Sequence, residues 1–286
     1  MPELPPFLLY SLEVIGGILL LFLGGDQFVK GSVTIATLCR IPQLVIGLTV
    51  VAFGTSAPEL FVGVSSILQN ADDLAVGNVV GSNIFNILVV LGCSALVFPL
   101  RVESRLVRRD VPVLLAISSA AWGMASAGRM TWQAGVALLI GLIINTVWEI
   151  RTSLEDHQET VETSNLQRTG SGFSRSLTIA LFQLAVGITL LVVGSKTLVS
   201  GASSAAAFLK VPPAVIGLTI VATGTSTPEL ITSVVATLKG KTDLAVGNVV
   251  GSCLLNLLMV LGGCAAISGG NGLQVSAELK IGRAHV

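Results

Sequence analysis

Two glutamates lie inside long apolar stretches of this sequence, where a charged side chain is unexpected. Glu59 ends the segment Gly54-Thr-Ser-Ala-Pro-Glu, and Glu229 ends the matching segment Gly224-Thr-Ser-Thr-Pro-Glu. A carboxylate in hydrocarbon costs at least ~2.5 kcal/mol, so it is retained mainly where it has a partner or a function. We therefore interpret both glutamates as functional. The alternative is a protonated glutamate that serves only the structure.

The residues beside each glutamate can supply further oxygens. Thr55, Ser56 and Glu59 are spaced i, i+1 and i+4, so on a continuous helix they would share one face. Pro58 has no N–H and leaves the carbonyl of Gly54 without its helical partner, which predicts a kinked or unwound backbone with exposed carbonyl oxygens. The second copy repeats this arrangement with Thr225, Ser226 and Pro228.

A second polar pattern follows each glutamate motif. Asn78, Ser82 and Asn86 recur every fourth residue and form one stripe on a predicted helix. Their counterparts in the second copy are Asn248, Ser252 and Asn256. A glycine directly precedes each of the first two residues of each stripe, at 77 and 81 and at 247 and 251. These glycine pairs predict close packing against a neighbouring helix.

Taken together, these side chains offer oxygen ligands without sulfur or imidazole. Two carboxylates with hydroxyl, amide and carbonyl oxygens suit a hard cation, and calcium takes 6–8 such oxygens in a flexible geometry. Sodium would use the same oxygens, whereas magnesium gives up its water reluctantly. Neither histidine, His157 nor His285, lies in an apolar run, which argues against zinc or copper.

The two motif pairs belong to an internal duplication. Residues 47–92 and 217–262 are identical at 28 of 46 positions, at a constant offset of 170 residues and without a gap. Packing alone would not preserve identical polar residues, so the sequence predicts two repeats.

The elements that position these residues are membrane helices. Hydrophobic residues make up 52% of the 286 residues, charged residues only 11%, and the mean hydropathy is +0.86. This composition predicts an integral membrane protein in a lipid bilayer, and the zero net charge argues against nucleic acid as a partner. Apolar runs predict eight transmembrane helices at 7–29, 43–68, 74–98, 110–128, 132–150, 176–199, 212–238 and 245–268.

The order of the helices predicts the orientation of the repeats. Five helices separate equivalent positions, so the copies should cross the membrane in opposite directions, as inverted repeats of secondary transporters do. Lysines and arginines concentrate in the loops after helices 1, 3 and 5, which predicts a multi-pass protein of the cell (inner) membrane with its N-terminus outside. The polar segment 151–175 would then be a cytoplasmic linker.

At this point the sequence resembles a known family. The paired Gly-Thr-Ser-x-Pro-Glu and Gly-Asn-x-x-Gly-Ser motifs are similar to the alpha repeats of the calcium/cation antiporter superfamily, in its sodium/calcium exchanger family of prokaryotic type. The resemblance implies an all-α fold of inverted 5+5 helix repeats, in which helices 1 and 6 slide past the others. About eight of the ten transmembrane helices would be present, with a first repeat at 1–150 and an incomplete second repeat at 176–280. The ion ligands it implies are Glu59, Thr55, Ser56, Ser82 and Asn86, with Glu229, Thr225, Ser226, Ser252 and Asn256, and the backbone carbonyls of Ala52 and Ala222.

Two departures from the family pattern carry expectations. Some relatives have an aspartate in place of Asn86 or Asn256 and depend on potassium, so the two asparagines argue against potassium co-transport. Residues 281–286, Ile-Gly-Arg-Ala-His-Val, read like the translation of a common sequencing adapter. We therefore expect the native sequence to end near Lys280, before a ninth helix.

The sequence thus predicts a secondary antiporter that exchanges Ca²⁺ for Na⁺ by alternating access. One alternative is proton/calcium exchange, and another is a membrane protein that binds cations without transporting them. No nucleophile–base pair or phosphate loop indicates an enzyme, and no cofactor is expected. The expected partners are the transported Ca²⁺ and Na⁺ ions and the bilayer. The sequence leaves the oligomeric state open and is compatible with a monomer.

Overall fold

The computed structural model of the chain describes residues 6–39, 41–158, 171–210, 222–269 and 272–275, and these are helical almost throughout. The first half contains α1 (Pro6–Cys39), α2 (Gln43–Ile46), α3 (Ala52–Thr55), α4 (Ala57–Leu68), α5 (Asp72–Phe85), α6 (Leu91–Val97), α7 (Val111–Ser126) and α8 (Trp132–Gln158). The second half contains α9 (Ser171–Phe208), α10 (Ala222–Thr225), α11 (Thr227–Leu238), α12 (Thr242–Leu255) and α13 (Gly262–Ile267).

Wider π-helical turns join several of these helices without a break. They cover Gly47–Val51 between α2 and α3, Asn86–Val90 between α5 and α6, Leu106–Asp110 before α7, and Asn256–Leu261 between α12 and α13. One short antiparallel pair, β1 (Arg129–Met130) and β2 (Leu273–Gln274), joins the segments that follow α7 and α13.

The all-α membrane fold predicted from composition is confirmed. By length and apolar composition, five described helical stretches suit a membrane span, or six if the bent stretch from α2 to α4 counts as one. The fourth predicted helix appears as Leu106–Asp110 and α7, and its first turns carry Arg108, Arg109 and Asp110. Residues 212–221 of the predicted seventh helix and the predicted artefact 281–286 lie outside the described residues. Helices α8 and α9 extend into both ends of the predicted linker 151–175.

The two longest helices, α1 and α9, run antiparallel and touch along glycine positions. Gly17 lies against Gly194, and Gly24 lies against Gly187, so positions that rise along α1 descend along α9. Both helices carry these glycines at seven-residue intervals, and the α9 pair is the second-copy equivalent of the α1 pair. Equivalent helices of the two copies therefore point in opposite directions.

Helix α12 lies at the centre of the molecule. The stretch from Thr242 to Ile267 is buried along its most apolar window, unlike the other candidate spans. Gly247 packs against Leu44 and Gly47 of the α2–α3 stretch, and Gly251 packs against Leu48 and Ala52. The predicted close packing at 247 and 251 is thus confirmed. At Gly77 and Gly81, no described atom lies within 4 Å of an added Cβ. Large side chains such as Phe61 and Phe182 project outward from other helices, as a lipid-facing surface requires.

Candidate ion-binding site

The helix that carries Glu59 breaks at Ser56. The two parts, Gln43–Thr55 and Ala57–Leu68, meet at 44°. Ser56 has φ −81° and ψ 5°, outside the helical range, and Pro58 lies in the first turn of α4. Ser226 repeats these angles at φ −88° and ψ 6° before α11. The kink predicted from the proline is confirmed, and it places each glutamate in the first turn of a new helix.

Both glutamates are fully buried and are held by the opposite copy. Ser226 donates from Oγ to Glu59 Oε1 at 3.0 Å, and Ser56 donates to Glu229 Oε1 at 3.3 Å. Thr225 lies against the Glu59 carboxylate, and Thr55 lies against that of Glu229. The predicted common face of Thr55, Ser56 and Glu59 is therefore wrong in one respect. Because the helix breaks between them, each hydroxyl pair reaches the glutamate of the other copy.

The backbone at each break is held by side chains from neighbouring helices. Asn78 Nδ2 donates to the carbonyl oxygen of Glu59 at 3.2 Å, and Asn248 Nδ2 lies 3.4 Å from the carbonyl oxygen of Glu229. These two asparagines thus support the backbone of the glutamates. The carbonyl of Gly224, which Pro228 leaves without a helical partner, accepts a hydrogen bond from Ser195 on α9.

Several buried oxygens near the glutamates have no hydrogen-bond partner among the described residues. One oxygen of each carboxylate, Oε2, is in this state. The others that belong to predicted ligands are Ser82 Oγ, Asn86 Oδ1 and Asn256 Oδ1. An uncompensated buried polar atom costs about 1–3 kcal/mol, more if charged. These five oxygens are therefore available to coordinate a cation.

Both asparagines stand at the same structural position in the two copies. Asn86 begins the π-helical turn Asn86–Val90, and Asn256 begins Asn256–Leu261. Single π-helical turns within α-helices are frequent at functional sites, because they redirect one side chain without ending the helix.

Three further predicted ligands, Thr55, Ser252 and Ala52, also lie at the contact between the copies. Thr55 Oγ1 lies 3.2 Å from Asn248 Oδ1 and 3.4 Å from Ser252 Oγ. The carbonyl oxygen of Ala52 accepts the N–H of Ser56 at 2.9 Å and lies 3.3 Å from the Thr55 hydroxyl. Ala222 begins α10.

A cavity of about 510 Å³ approaches the site between α4, α9 and α10. Pro58 and Thr225 form part of its wall, and they directly precede Glu59 and Ser226 in the chain. Lys196 also lines this cavity, with Nζ 5.9 Å from the centre of the Phe61 ring. No acidic side chain among the described residues is within ion-pair distance of Lys196, so its ammonium group has no ionic partner within that part of the chain.

The arrangement can bind a hard cation but offers little for catalysis. Among the described residues, no three or more Asp, Glu, His or Cys side chains cluster as ligands of a metal ion, so a cation at this site would be bound by two carboxylates and neutral oxygens. Its oxygens come from two carboxylates and neutral groups on four helical segments, related by the inverted repeat.

Comparison with known proteins agrees with this geometry. A profile of the family described as "Sodium/calcium exchanger protein" matches residues 10–151 and 179–283. This chain belongs to the sodium/calcium exchanger family. Relatives include the putative antiporter CaxA of Alkalimonas amylolytica, 37% identical over 89% of this chain and 80% of that protein. The sodium/calcium exchanger MaX1 of Methanosarcina acetivorans is 31% identical over 86% and 79%.

Solved structures extend this family likeness to the fold. The sodium-calcium exchanger NCX_Mj, in crystals soaked with Na⁺ and Sr²⁺, superposes with a TM-score of 0.81 at 31% identity, covering 96% of this chain and 86% of that one. The expected family and all-α membrane fold are therefore confirmed. Like its relatives, this exchanger-family protein is a multi-pass membrane transporter of cations and not an enzyme.

Two contacts at the site were absent from the sequence prediction. Asn83 lies beside the predicted ligand Asn256, and Ser195 binds the free carbonyl of Gly224. Alignment of the two copies indicates both residues by a difference in residue type, because Asn83 aligns with Cys253 and Ser195 aligns with Gly25. Both contacts occur where the two copies differ.

Proposed function

We propose that this protein exchanges Ca²⁺ for Na⁺ across the inner membrane, with Glu59 and Glu229 as the charged ligands of one shared site. The observation that carries the proposal is the reciprocal arrangement of the two buried carboxylates. Each accepts a hydrogen bond from the other copy's serine and keeps one oxygen without a protein partner. The relatives MaX1 and NCX_Mj are named as sodium/calcium exchangers, which supports the choice of ions.

The ligand count suits calcium. The five unpartnered oxygens, together with the hydroxyl oxygens of the threonines and serines at the helix breaks, reach the 6–8 oxygens that Ca²⁺ takes. Two carboxylates neutralise one Ca²⁺. The proposed ligands are Glu59, Glu229, Thr55, Thr225, Ser56, Ser226, Ser82, Ser252, Asn86 and Asn256, with the carbonyls of Ala52 and Ala222.

Charge supplies the coupling between the two ions. A site with two uncompensated carboxylates meets a steep electrostatic barrier in low-dielectric surroundings, so only the loaded site changes its access side. Three Na⁺ against one Ca²⁺, the ratio implied by the family, would move one net charge per cycle. Such a step is worth about 2.3 kcal/mol per 100 mV. Both asparagine ligands are neutral, which favours exchange without potassium.

We further propose that the N-terminus lies outside and that the arginine-rich segment before α7 lies in the cytoplasm. The basic residues at 101, 105, 108 and 109 support this orientation. The test is a variant that keeps only Cys39, which is exposed at the end of α1. A membrane-impermeant maleimide should label it in inverted vesicles and not in intact cells, and labelling of intact cells would reverse the orientation.

The exchange itself is tested by uptake of radioactive calcium into proteoliposomes that contain the full chain. Uptake should require an outward Na⁺ gradient, and it should be lost in Glu59→Gln and in Glu229→Gln. The matched control is Asp73→Asn, which neutralises an exposed carboxylate at the beginning of α5 and should transport normally.

The same assay separates the alternatives. Uptake driven by a pH gradient alone would replace sodium by protons as the coupling ion. Calcium binding that depends on both glutamates, without flux under either gradient, would make the protein a non-transporting cation binder.

A further inference from the structure

The two candidate asparagine ligands differ in how their amide groups are held. Asn256 is fully buried, and its Nδ2 donates to Asn83 Oδ1 at 3.0 Å. Its Oδ1 has no hydrogen-bond partner among the described residues. An amide carries its oxygen and its NH₂ on opposite sides, and only the oxygen can bind a cation. Whatever holds the NH₂ group of Asn256 therefore decides whether the oxygen is free to bind one.

The orientation of Asn83 is fixed in turn by the backbone of α12. Asn83 Nδ2 donates to the carbonyl oxygen of Cys253 at 3.2 Å, which leaves Asn83 Oδ1 as the acceptor for Asn256. Turning the Asn83 amide over would place two NH₂ groups against each other and lose both hydrogen bonds. Because the Cys253 carbonyl can only accept a hydrogen bond, it orients the Asn83 amide, and Asn83 in turn orients the Asn256 amide.

The first copy lacks this device. The residue equivalent to Asn83 is Cys253, whose Sγ lies 4.0 Å from the carbonyl oxygen of Asn83. A thiol is a weak donor and acceptor and cannot hold an amide as another amide does. Accordingly, the Asn86 side chain lies against the Cys253 thiol, but neither its nitrogen nor its oxygen makes a hydrogen bond of ordinary geometry among the described residues.

We propose that Asn83 is a positioning residue that holds the Asn256 amide with its oxygen available to the cation, so that the repeat-related ligands are inequivalent. Asn256 is an oriented ligand, and Asn86 is an adaptable one. This inference rests on the proposed site, because it assigns the orientation of one proposed ligand. It does not depend on which ion drives the exchange.

The test measures the dissociation constant of Ca²⁺ by equilibrium dialysis of the purified full chain with radioactive calcium. Asn83→Ala removes the acceptor, so the Asn256 amide can turn its NH₂ group toward the cation. From the usual worth of one hydrogen bond, the dissociation constant should rise about three- to tenfold. Asn256→Asp carries an oxygen on both sides and needs no orientation. In that background, Asn83→Ala should change the constant less than about twofold, since one oxygen always faces the cation.

Variants at Cys253 provide the matched controls. Cys253→Ala removes the thiol without adding a hydrogen-bonding group, so it should bind like the wild type. Cys253→Asn places an amide beside Asn86 and should leave affinity equal or improve it.

The proposal is wrong if Asn83→Ala leaves the dissociation constant unchanged. It is also wrong if Asn83→Ala weakens binding equally in the Asn256→Asp background, because the residue would then act on the fold and not on the amide. Calcium binding that follows the expected pattern without sodium-driven uptake would refute sodium exchange and leave the role of Asn83 intact. A wild-type chain that binds no Ca²⁺ would refute both.

Discussion

Two adjacent glycines of α1 should respond in opposite ways to the same substitution. At Gly17, an added Cβ would lie 2.6 Å from the backbone nitrogen of Leu198 and 2.8 Å from its Cα. At Gly16, no described atom lies within 4 Å of the added Cβ. Gly17→Ala and Gly16→Ala therefore form a matched pair that isolates the contact between α1 and α9.

The expected magnitude follows from these distances. Backbone atoms cannot rotate away, so the helices must move apart by roughly 0.8 Å for the 2.6 Å approach at Gly17 to reach an ordinary contact of 3.4 Å. Overpacking of this kind costs about 1–3 kcal/mol. Both substitutions gain the same helix propensity, about 0.8–1.0 kcal/mol. The propensity cancels in the comparison, so Gly17→Ala should be less stable than Gly16→Ala by about 1–3 kcal/mol.

The assay is reversible unfolding in mixed micelles, followed by circular dichroism as the mole fraction of dodecyl sulfate rises. Gly16→Ala should unfold at the wild-type midpoint or above it, and Gly17→Ala should unfold below the Gly16→Ala midpoint. Equal free energies of unfolding for the two variants would refute close backbone contact between α1 and α9 at this level. A stabilised Gly17→Ala variant would refute it more strongly.

Ser226→Ala removes the hydroxyl that donates to Glu59, so it should weaken Ca²⁺ binding about two- to tenfold in equilibrium dialysis. An unchanged dissociation constant would exclude this hydroxyl from the site. Lys196→Gln removes a positive charge from the approach cavity, so the apparent KM for Ca²⁺ should fall about two- to fivefold at low salt and less at high salt. Lys196→Arg should keep the wild-type KM, and an effect independent of salt would contradict a charge mechanism. Glu149→Ala removes the carboxylate that forms ion pairs with two mostly buried arginines, Arg105 and Arg109, and should reduce the free energy of unfolding by about 3 kcal/mol in the micelle titration. A loss below about 1 kcal/mol would indicate that water replaces the carboxylate.

The sequence alone predicts that Glu59 and Glu229 are the charged residues of one shared site. The constant offset between Glu59 and Glu229, and the odd number of helices between the copies, predict that the two glutamates meet at an inverted-repeat interface. Pro58 predicts the break beside Glu59 because a missing N–H is a local property of the chain. Such features are visible in one dimension, since they depend on residue type and spacing.

The partner of each group was decided by the tertiary structure. A helical pattern places Thr55 and Ser56 beside Glu59, yet the break turns them toward Glu229. The π-helical turns at Asn86 and Asn256 depend on a change of backbone hydrogen bonding that apolar periodicity does not encode.

The seven-residue glycine spacing in α1 is explained only by the close packing of α9 against it. Asn83 orients Asn256 only because α5 and α12 come together. The physical reason is common to these cases. Residue type and spacing determine what a group can bind, whereas a hydrogen bond or a close contact between helices requires two distant segments at one place.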